Sequence, residues 1–306
     1  MQVRRDLSDD ERTAVFDLVD RVQQATGHRP LSDHLWLDLV HGGRHGSATV
    51  LRWRGDRLVG CCHVTSGHGS WAIELVLDPS DGGATERCGK ELVASALDTI
   101  AAAGGGHVHW WVFEPNDRIA GIAADNGLTE GRTLFQMRVP LPLDEGTVGA
   151  MPDVVTRSFR VGEDERAWLD VNNSAFSWHP EQGGWDLPTL LQREQEDWFD
   201  PDGFLLHERD GRLAAFCWTK LHHDLAPPLG EIYVIAVHPD FHGLGLGKAL
   251  TVAGLTSIAS RGIRTGMLYV DRDNTSAVSL YRRLGFVVHR TDRAYVGDSR
   301  PTPSDP

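Results

Sequence analysis

The sequence predicts an α/β protein built from two similar halves, each a mixed sheet with helices on both faces. Three observations lead there. The first is an internal repeat: residues 112–128, VFEPNDRIAGIAADNGL, lie without a gap on 270–286, VDRDNTSAVSLYRRLGF. Asn116 then falls on Asn274, Ile119 on Ala277, Ile122 on Leu280 and Gly127 on Gly285. Upstream, ELVLDPSD (74–81) parallels VIAVHPDF (234–241), and LSDDERTAVFDLV (7–19) parallels VGEDERAWLDVNNSAF (161–176). The second is a strand, glycine loop and helix in succession between Gly230 and Ile258. The third is a short amphipathic helix that an asparagine caps. Each half thus runs helix, strands, loop, helix, strand, helix, strand, the alternation expected of an α/β sheet.

The loop carries the chemistry. In GEIYVIAVHPDFHGLGLGK (230–248) an apolar strand, Ile232–Val237, passes through His238-Pro239 to glycines 243, 245 and 247. A helix-like run, Lys248 to Ile258, follows. Glycine lets backbone approach a phosphate closely, and the N–H groups of a first helical turn point at it. Ala249 after Gly247-Lys248 excludes a P-loop. The glycine spacing and the position late in the chain exclude a dinucleotide fold.

A second motif follows at 268–286, LYVDRDNTSAVSLYRRLGF. Leu268–Val270 reads as a strand end, Asn274 as an N-cap, and Thr275–Leu284 as a helix that Gly285 stops. Ala277, Leu280, Tyr281 and Leu284 share its apolar face.

Together these motifs resemble the GNAT superfamily of N-acetyltransferases. His242-Gly243-Leu244-Gly245-Leu246-Gly247 matches that superfamily's acyl-coenzyme A loop, [Q/R]xxGxG, with His242 in place of the usual Gln or Arg. N-x-x-A-x-x-L-Y-x-x-x-G-F matches its other signature. The resemblance implies tandem GNAT folds, each with a mixed, mostly antiparallel central sheet flanked by helices, and acetyl-CoA as cosubstrate.

Four strings narrow it: FSWHPEQGGW (176–185), CWTK (217–220), GEIYVIAVHP (230–239) and LYVDRDN (268–274) resemble the two-domain mycothiol synthase family. That implies acetyl transfer from acetyl-CoA to the cysteinyl α-amine of desacetylmycothiol. By the same resemblance Glu231 is the general base and Tyr281 the general acid for the leaving thiolate. Backbone of Ile235, Ala236 and Val237 holds the pantetheine, with the Val237 N–H on the thioester oxygen. The loop His242, Gly243, Leu244, Gly245, Leu246, Gly247 and Lys248 holds the pyrophosphate. Asn274, Thr275, Ser276, Ala277, Val278 and Ser279 line the other side of the cofactor. Glu181, Lys220, at the end of the strand AAFCWTK, Tyr269 and Glu231 meet the sugar-inositol acceptor. Asp33 matches a first-half contact and reads equally as a helix cap before an apolar run.

The halves are placed at 1–142 and 155–296, with a linker at 143–154 and a disordered tail at 297–306. They diverge where chemistry would sit. The first half has SDGGATERCGK where the second has HGLGLGK; Glu86 would face an incoming phosphate; Ala123 stands at the Tyr281 position and Trp71 near that of Glu231. The first half is therefore expected to be degenerate and catalytically silent.

A net charge of −13, spread along the chain, argues against nucleic acid or an anionic membrane as partner. No apolar run is long enough to span a bilayer, and the N-terminus lacks an apolar signal core. Cys61, Cys62, Cys88 and Cys217 form no disulfide pattern, which fits a reducing cytoplasm. Cys61-Cys62-His63, His107-Val-His109 and His222-His223-Asp224 lack complete zinc spacing, so no metal is expected. The expected state is a monomer. Two other readings stay open: a GNAT enzyme for another amine (an aminoglycoside, a polyamine or a protein N-terminus), and a non-catalytic acyl-CoA-binding protein.

Overall fold

The computed structural model describes residues 1–26, 30–31, 47–67, 69–81, 84–144, 146, 154–177 and 183–301. In chain order the first elements are β1 (Gln2–Arg4), α1 (Asp9–Thr26), β2 (Ala48–Arg54), β3 (Arg57–Gly67), β4 (Ser70–Leu77), α2 (Ala84–Ala102), β5 (Gly106–Phe113), α3 (Asp117–Asp125) and β6 (Thr129–Pro140). Then come β7 (Arg157–Ser158), α4 (Glu165–Ala175), α5 (Leu187–Glu194), β8 (Phe204–Arg209), β9 (Arg212–His222), β10 (Leu229–Val237), α6 (Leu246–Ser260), β11 (Thr265–Asp271), α7 (Thr275–Arg283) and β12 (Val287–Ser299).

The chain divides into two compact units, Met1–Leu134 with Arg290–Pro306, and Phe135–His289. The division falls inside β6 and β12, not in the expected linker at 143–154, most of which lies outside the described residues. The cause is strand pairing: Asp292–Ser299 of β12 lie antiparallel on Gly106–Phe113 of β5, so the end of the chain belongs to the first unit. Gly297–Ser299, expected in a disordered tail, are the last residues of that strand.

In the first unit the strand order is β1-β2-β3-β4-β5-β12-β6. The β1–β4 strands form an antiparallel meander, and β4 meets β5 in parallel at Trp71↔Val108 and Ala72↔His109. Helix α1 opens on a reciprocal cap: Glu11 N–H donates to Ser8 Oγ, and Ser8 N–H to the Glu11 carboxylate. Val15, Leu18, Val19 and Val22 recur at helical spacing and are its buried stripe. On the other side Leu92, Val93, Ala96 and Ile100 of α2 pack with Val64, Ile73, Val108 and Trp110.

In the second unit the order is β6-β11-β10-β9-β8-β7. Strands β8, β9 and β10 are antiparallel, while β10 and β11 run parallel and pair only over Gly230–Ile232 and Gly266–Leu268. Helix α6 packs tightly on this sheet. A Cβ added at Gly230 would collide with Ile258, and one at Gly254 would come within 2.5 Å of Cys217 Sγ. Leu246, Leu250, Leu255 and Ile258 of α6, with Val278 and Tyr281 of α7, cover one face of the sheet. Trp168 of α4 and Leu190 of α5, with Phe204, Phe216 and Trp218, form the core on the other.

A bulge at Tyr233 interrupts β10, because Ile232 pairs with Thr219 but Val234 already pairs with Trp218. An extra residue shifts strand alternation by one. Tyr233 and Val234 accordingly both pack in the aromatic core, while Ile232, Ile235 and Val237 pack under the α6 face.

Candidate functional site

In the second unit β10 and β11 part after Ile232 and Leu268, so Tyr233–Val237 is paired on its β9 side alone in the registered ladder. His238 N–H donates to Ala214 O. Since alternate residues of a strand point their amide groups the same way, Ala236 faces β9, while the N–H and C=O of Ile235 and Val237 face the opening. His242 Nε2 donates to Val237 O at 3.0 Å and ties the following loop to the strand end.

The loop forms the base of this opening. Gly243 and Gly245 have φ of +81° and +76°, a left-handed geometry that glycine alone adopts without strain. Gly245 is the N-cap of α6, which begins at Leu246 and not at the expected Lys248, so Gly247 belongs to the first helical turn. No acidic residue stands in that turn, so the amide N–H groups and the helix dipole present a positive end. Lys248 is there too.

Helix α7 is capped by Asn274, whose side chain accepts from Ala277 N–H. Tyr281 and Leu284 are buried and Ala277 and Leu280 pack beside them, so the expected apolar face is the one that meets the core, with Val278 added to it. Thr275, Ser276 and Ser279 are exposed. Tyr281 packs at 5.7 Å from the Phe286 ring. Burial, with a smaller contribution from the Cys217 thiol, raises its phenol pKa well above the usual value, so the hydroxyl keeps its proton at neutral pH.

On the opposite face of the sheet three of the expected acceptor contacts converge. Glu231 of β10 pairs across the antiparallel ladder with Lys220 of β9 and across the parallel ladder with Met267 of β11. Leu268 and Val270 are in the α6-side core, so Tyr269 points the other way, as Glu231 does. The Tyr269 hydroxyl accepts from Gln136 Nε2 at 2.7 Å, and Gln136 Oε1 accepts from Arg138 at 3.0 Å. Lys220 is not at a strand tip, since β9 continues to His222. Its ammonium lies 4.5 Å from the Trp198 ring centre and 5.9 Å from that of Tyr233, an aromatic contact with a cation. Asp33 and Glu181 lie outside the described residues.

Glu231 is 8% exposed, and its carboxylate meets His222 Nε2 at 2.7 Å. The sequence held a signal for this contact that composition alone did not exploit: Trp218, Lys220 and His222 alternate along one strand and so share a face. The bulge residue Tyr233 and the ring of Trp198, which fix Lys220, had no such signal. Among the described residues no cluster of three His, Cys, Asp or Glu could hold a metal ion.

The first unit has a similar parting of strands with different furniture. A cavity of about 440 Å³ there is lined by Glu74–Leu77, Thr85, Trp110–Glu114, Asn116 and neighbours. Trp71 turns its indole N–H to Gly105 O at 3.0 Å. Lys90, on α2, is held by Glu86 at 2.7 Å and Asp125 at 2.6 Å.

This geometry, a parted pair of parallel strands over a glycine-capped helix, agrees with comparisons to known proteins. The acetyltransferase (GNAT) family matches residues 168–286. The mycothiol acetyltransferase of Acidimicrobium ferrooxidans is 42% identical over 284 residues, 91% of each chain. That of Thermobispora bispora is 41% identical over 298 residues, covering 96% of this chain and 98% of its own. A tandem GNAT protein from the clavulanic acid biosynthesis pathway shares the fold, with a TM-score of 0.68 at 17% identity over 99% of both chains. Relatives of near-equal length thus match almost the whole chain at about 40% identity, and the chain belongs to the mycothiol acetyltransferase family.

Proposed function

We propose that the second unit transfers an acetyl group from acetyl-CoA to the cysteinyl α-amine of desacetylmycothiol, completing mycothiol. One observation carries this reading: Glu231, Lys220 and Tyr269 share one face of the sheet, while the glycine cap and Tyr281 stand on the other side of the strand parting. Donor and acceptor can then approach the gap between β10 and β11 from opposite faces.

The residues divide the work as follows. The turn Gly243–Lys248 receives the pyrophosphate on amide N–H groups. The outward amides of Ile235 and Val237 take the pantetheine arm as an added strand, with the Val237 N–H aimed at the thioester oxygen. A donor fixed there stabilises the charge that gathers on that oxygen in the transition state. Asn274–Ser279 close the cofactor's other side. An α-amine has a pKa near ~8 and is mostly protonated at neutral pH, so it must lose a proton before attack. Glu231 takes that proton. Nitrogen bonds to the acetyl carbon, the carbon–sulfur bond breaks, and Tyr281 supplies a proton to the departing sulfur. The ammonium gives up two protons in all, sulfur keeps one, and one leaves to solvent.

Lys220, Tyr269 and Glu181 recognise hydroxyls of the acceptor. The first unit is a non-catalytic scaffold, because Trp71 and Ala123 stand where a base and an acid are needed. The buried cysteines, none in a disulfide, fit a reducing cytoplasm. Among the described residues no helix is long and apolar enough to cross a membrane. The monomer is the expected working form.

The test is a panel of amines offered with acetyl-CoA: desacetylmycothiol, an aminoglycoside, a polyamine and a peptide N-terminus. Products are read by mass, since the first acceptor carries its own thiol. The expected result is N-acetylation of desacetylmycothiol in strong preference to the others. Acetylation of another panel member in its place would move the acceptor assignment and leave the donor site standing.

A further inference from the structure

The face that carries Glu231 and Lys220 also holds His222, whose geometry is that of a partner to the base. We infer that His222 is a positioning residue: its Nε2–H holds the Glu231 carboxylate in the orientation from which it takes the amine proton. The inference rests on the proposed role of Glu231 and extends it.

The strand register sets the argument. Lys220 stands directly opposite Glu231 on β9, and a lysine in that place is the default ion-pair partner of a glutamate. A lysine in contact would hold the carboxylate charged and weaken it as a proton acceptor. Here the ammonium is drawn instead onto the rings of Trp198 and Tyr233. The carboxylate turns along the strand to His222, two residues on and on the same face, and meets Nε2 at 2.7 Å. A carboxylate that is to accept a proton is ionised, so the imidazole is the donor. The pair is well enclosed, with side-chain exposures of 17% for His222 and 10% for Glu231. One Oε2 is thereby fixed and the other carboxylate oxygen is left to face the amine. The antiparallel β9–β10 ladder supplies the rest of the constraint, because His222 and Glu231 lie near its hairpin end, where Leu229 pairs with His222.

The test is a double-mutant cycle on the full chain, with acetyl-CoA and desacetylmycothiol as substrates and product read by mass. His222→Ala is expected to lower kcat about thirtyfold, the scale of a misplaced reacting group. The KM for acetyl-CoA stays within about twofold of wild type, because the loop Gly243–Lys248 is untouched. His222→Gln retains a donor near the same place and is expected to recover kcat to within about threefold. In a Glu231→Ala background His222→Ala has no further effect, since a residue that acts through Glu231 has nothing left to act on. An equal loss in that background would overturn the inference, as would wild-type kcat in His222→Ala. Thermal melting of each variant separates a folding defect, in which case His222→Gln alone decides. Undiminished turnover of the single variant Glu231→Ala would instead sink the base assignment, a result distinct from either of these.

Discussion

The two units start from one plan and have kept it unequally. Both cap the helix after the second parallel strand with an asparagine whose side chain accepts from the amide three residues on, Asn116 from Ile119 and Asn274 from Ala277. Both let a parallel strand pair part after two or three residues, and both follow the first of those strands with a proline-initiated turn, Pro79–Asp81 and Pro239–Phe241. The residues before those prolines have diverged. Asp78 is locked by Arg57 at 2.6 Å, Arg21 at 3.2 Å and Ser80, whereas the His238 ring meets no arginine among the described residues: it accepts from Asp240 N–H at 3.2 Å and lies 3.6 Å from the carboxylate of that same neighbour. The first unit has turned the end of its strand into an ion-pair clamp; the second has kept the end of its strand open. A duplicated fold can thus keep its backbone devices while one copy exchanges reactive side chains for stabilising ones.

The largest expected effect separates the units by activity. Glu231→Ala should lower kcat about 10³-fold with acetyl-CoA binding retained, read by steady-state assay and by calorimetric titration. Trp71→Ala, the nearest first-unit counterpart, should leave kcat unchanged in the folded fraction. Tyr281→Phe is next, with kcat down about a hundredfold and acetyl-CoA affinity preserved. A first unit that matters to chemistry would reverse these ranks.

The clamp predicts a stability effect confined to the first unit. Burial alone would raise the Asp78 pKa, but Ser80 and Arg57 outweigh it and hold the carboxyl at about 2. A carboxyl depressed in the folded state contributes stability that is present above about pH 4 and lost as pH falls toward 2. Asp78→Asn should therefore cost about 2 kcal/mol at neutral pH in urea unfolding, and the difference from wild type should shrink in acid. Its KM for acetyl-CoA should not move. The smallest effect is at the glycine cap. Gly245→Val forces a branched residue into φ of +76° and should raise the KM for acetyl-CoA about tenfold, with kcat near wild type.

Much of this was legible in the residues because it is local. Asparagine before an apolar-periodic run, glycines at the passage from strand to helix, and the ungapped repeat each depend on a few neighbours; the helix start alone moves, by two residues, to Leu246. The rest depends on partners far along the chain. No sequence pattern says that β12 pairs with β5, because strand choice is a matter of tertiary packing. The Tyr233 bulge is invisible in GEIYVIAV, since one extra residue in an apolar strand leaves the composition unaltered. In sequence His222 stands beside His223 and Asp224 as an incomplete metal triplet; its partner Glu231 becomes evident only once the register of β9 on β10 is fixed. The string AAFCWTK places Lys220 at a strand tip, yet β9 runs on through His222.

The central claim is that a single unit, built around Glu231, acetylates the cysteinyl amine. The direct test is the rate of N-acetylated product from acetyl-CoA and desacetylmycothiol, followed by mass in wild type and in Glu231→Ala at equal folded concentration. The account predicts acceptor-dependent product in the wild type and its near loss in the variant. Equal rates in the two proteins, or acetyl-CoA binding with no product from this acceptor, would contradict it.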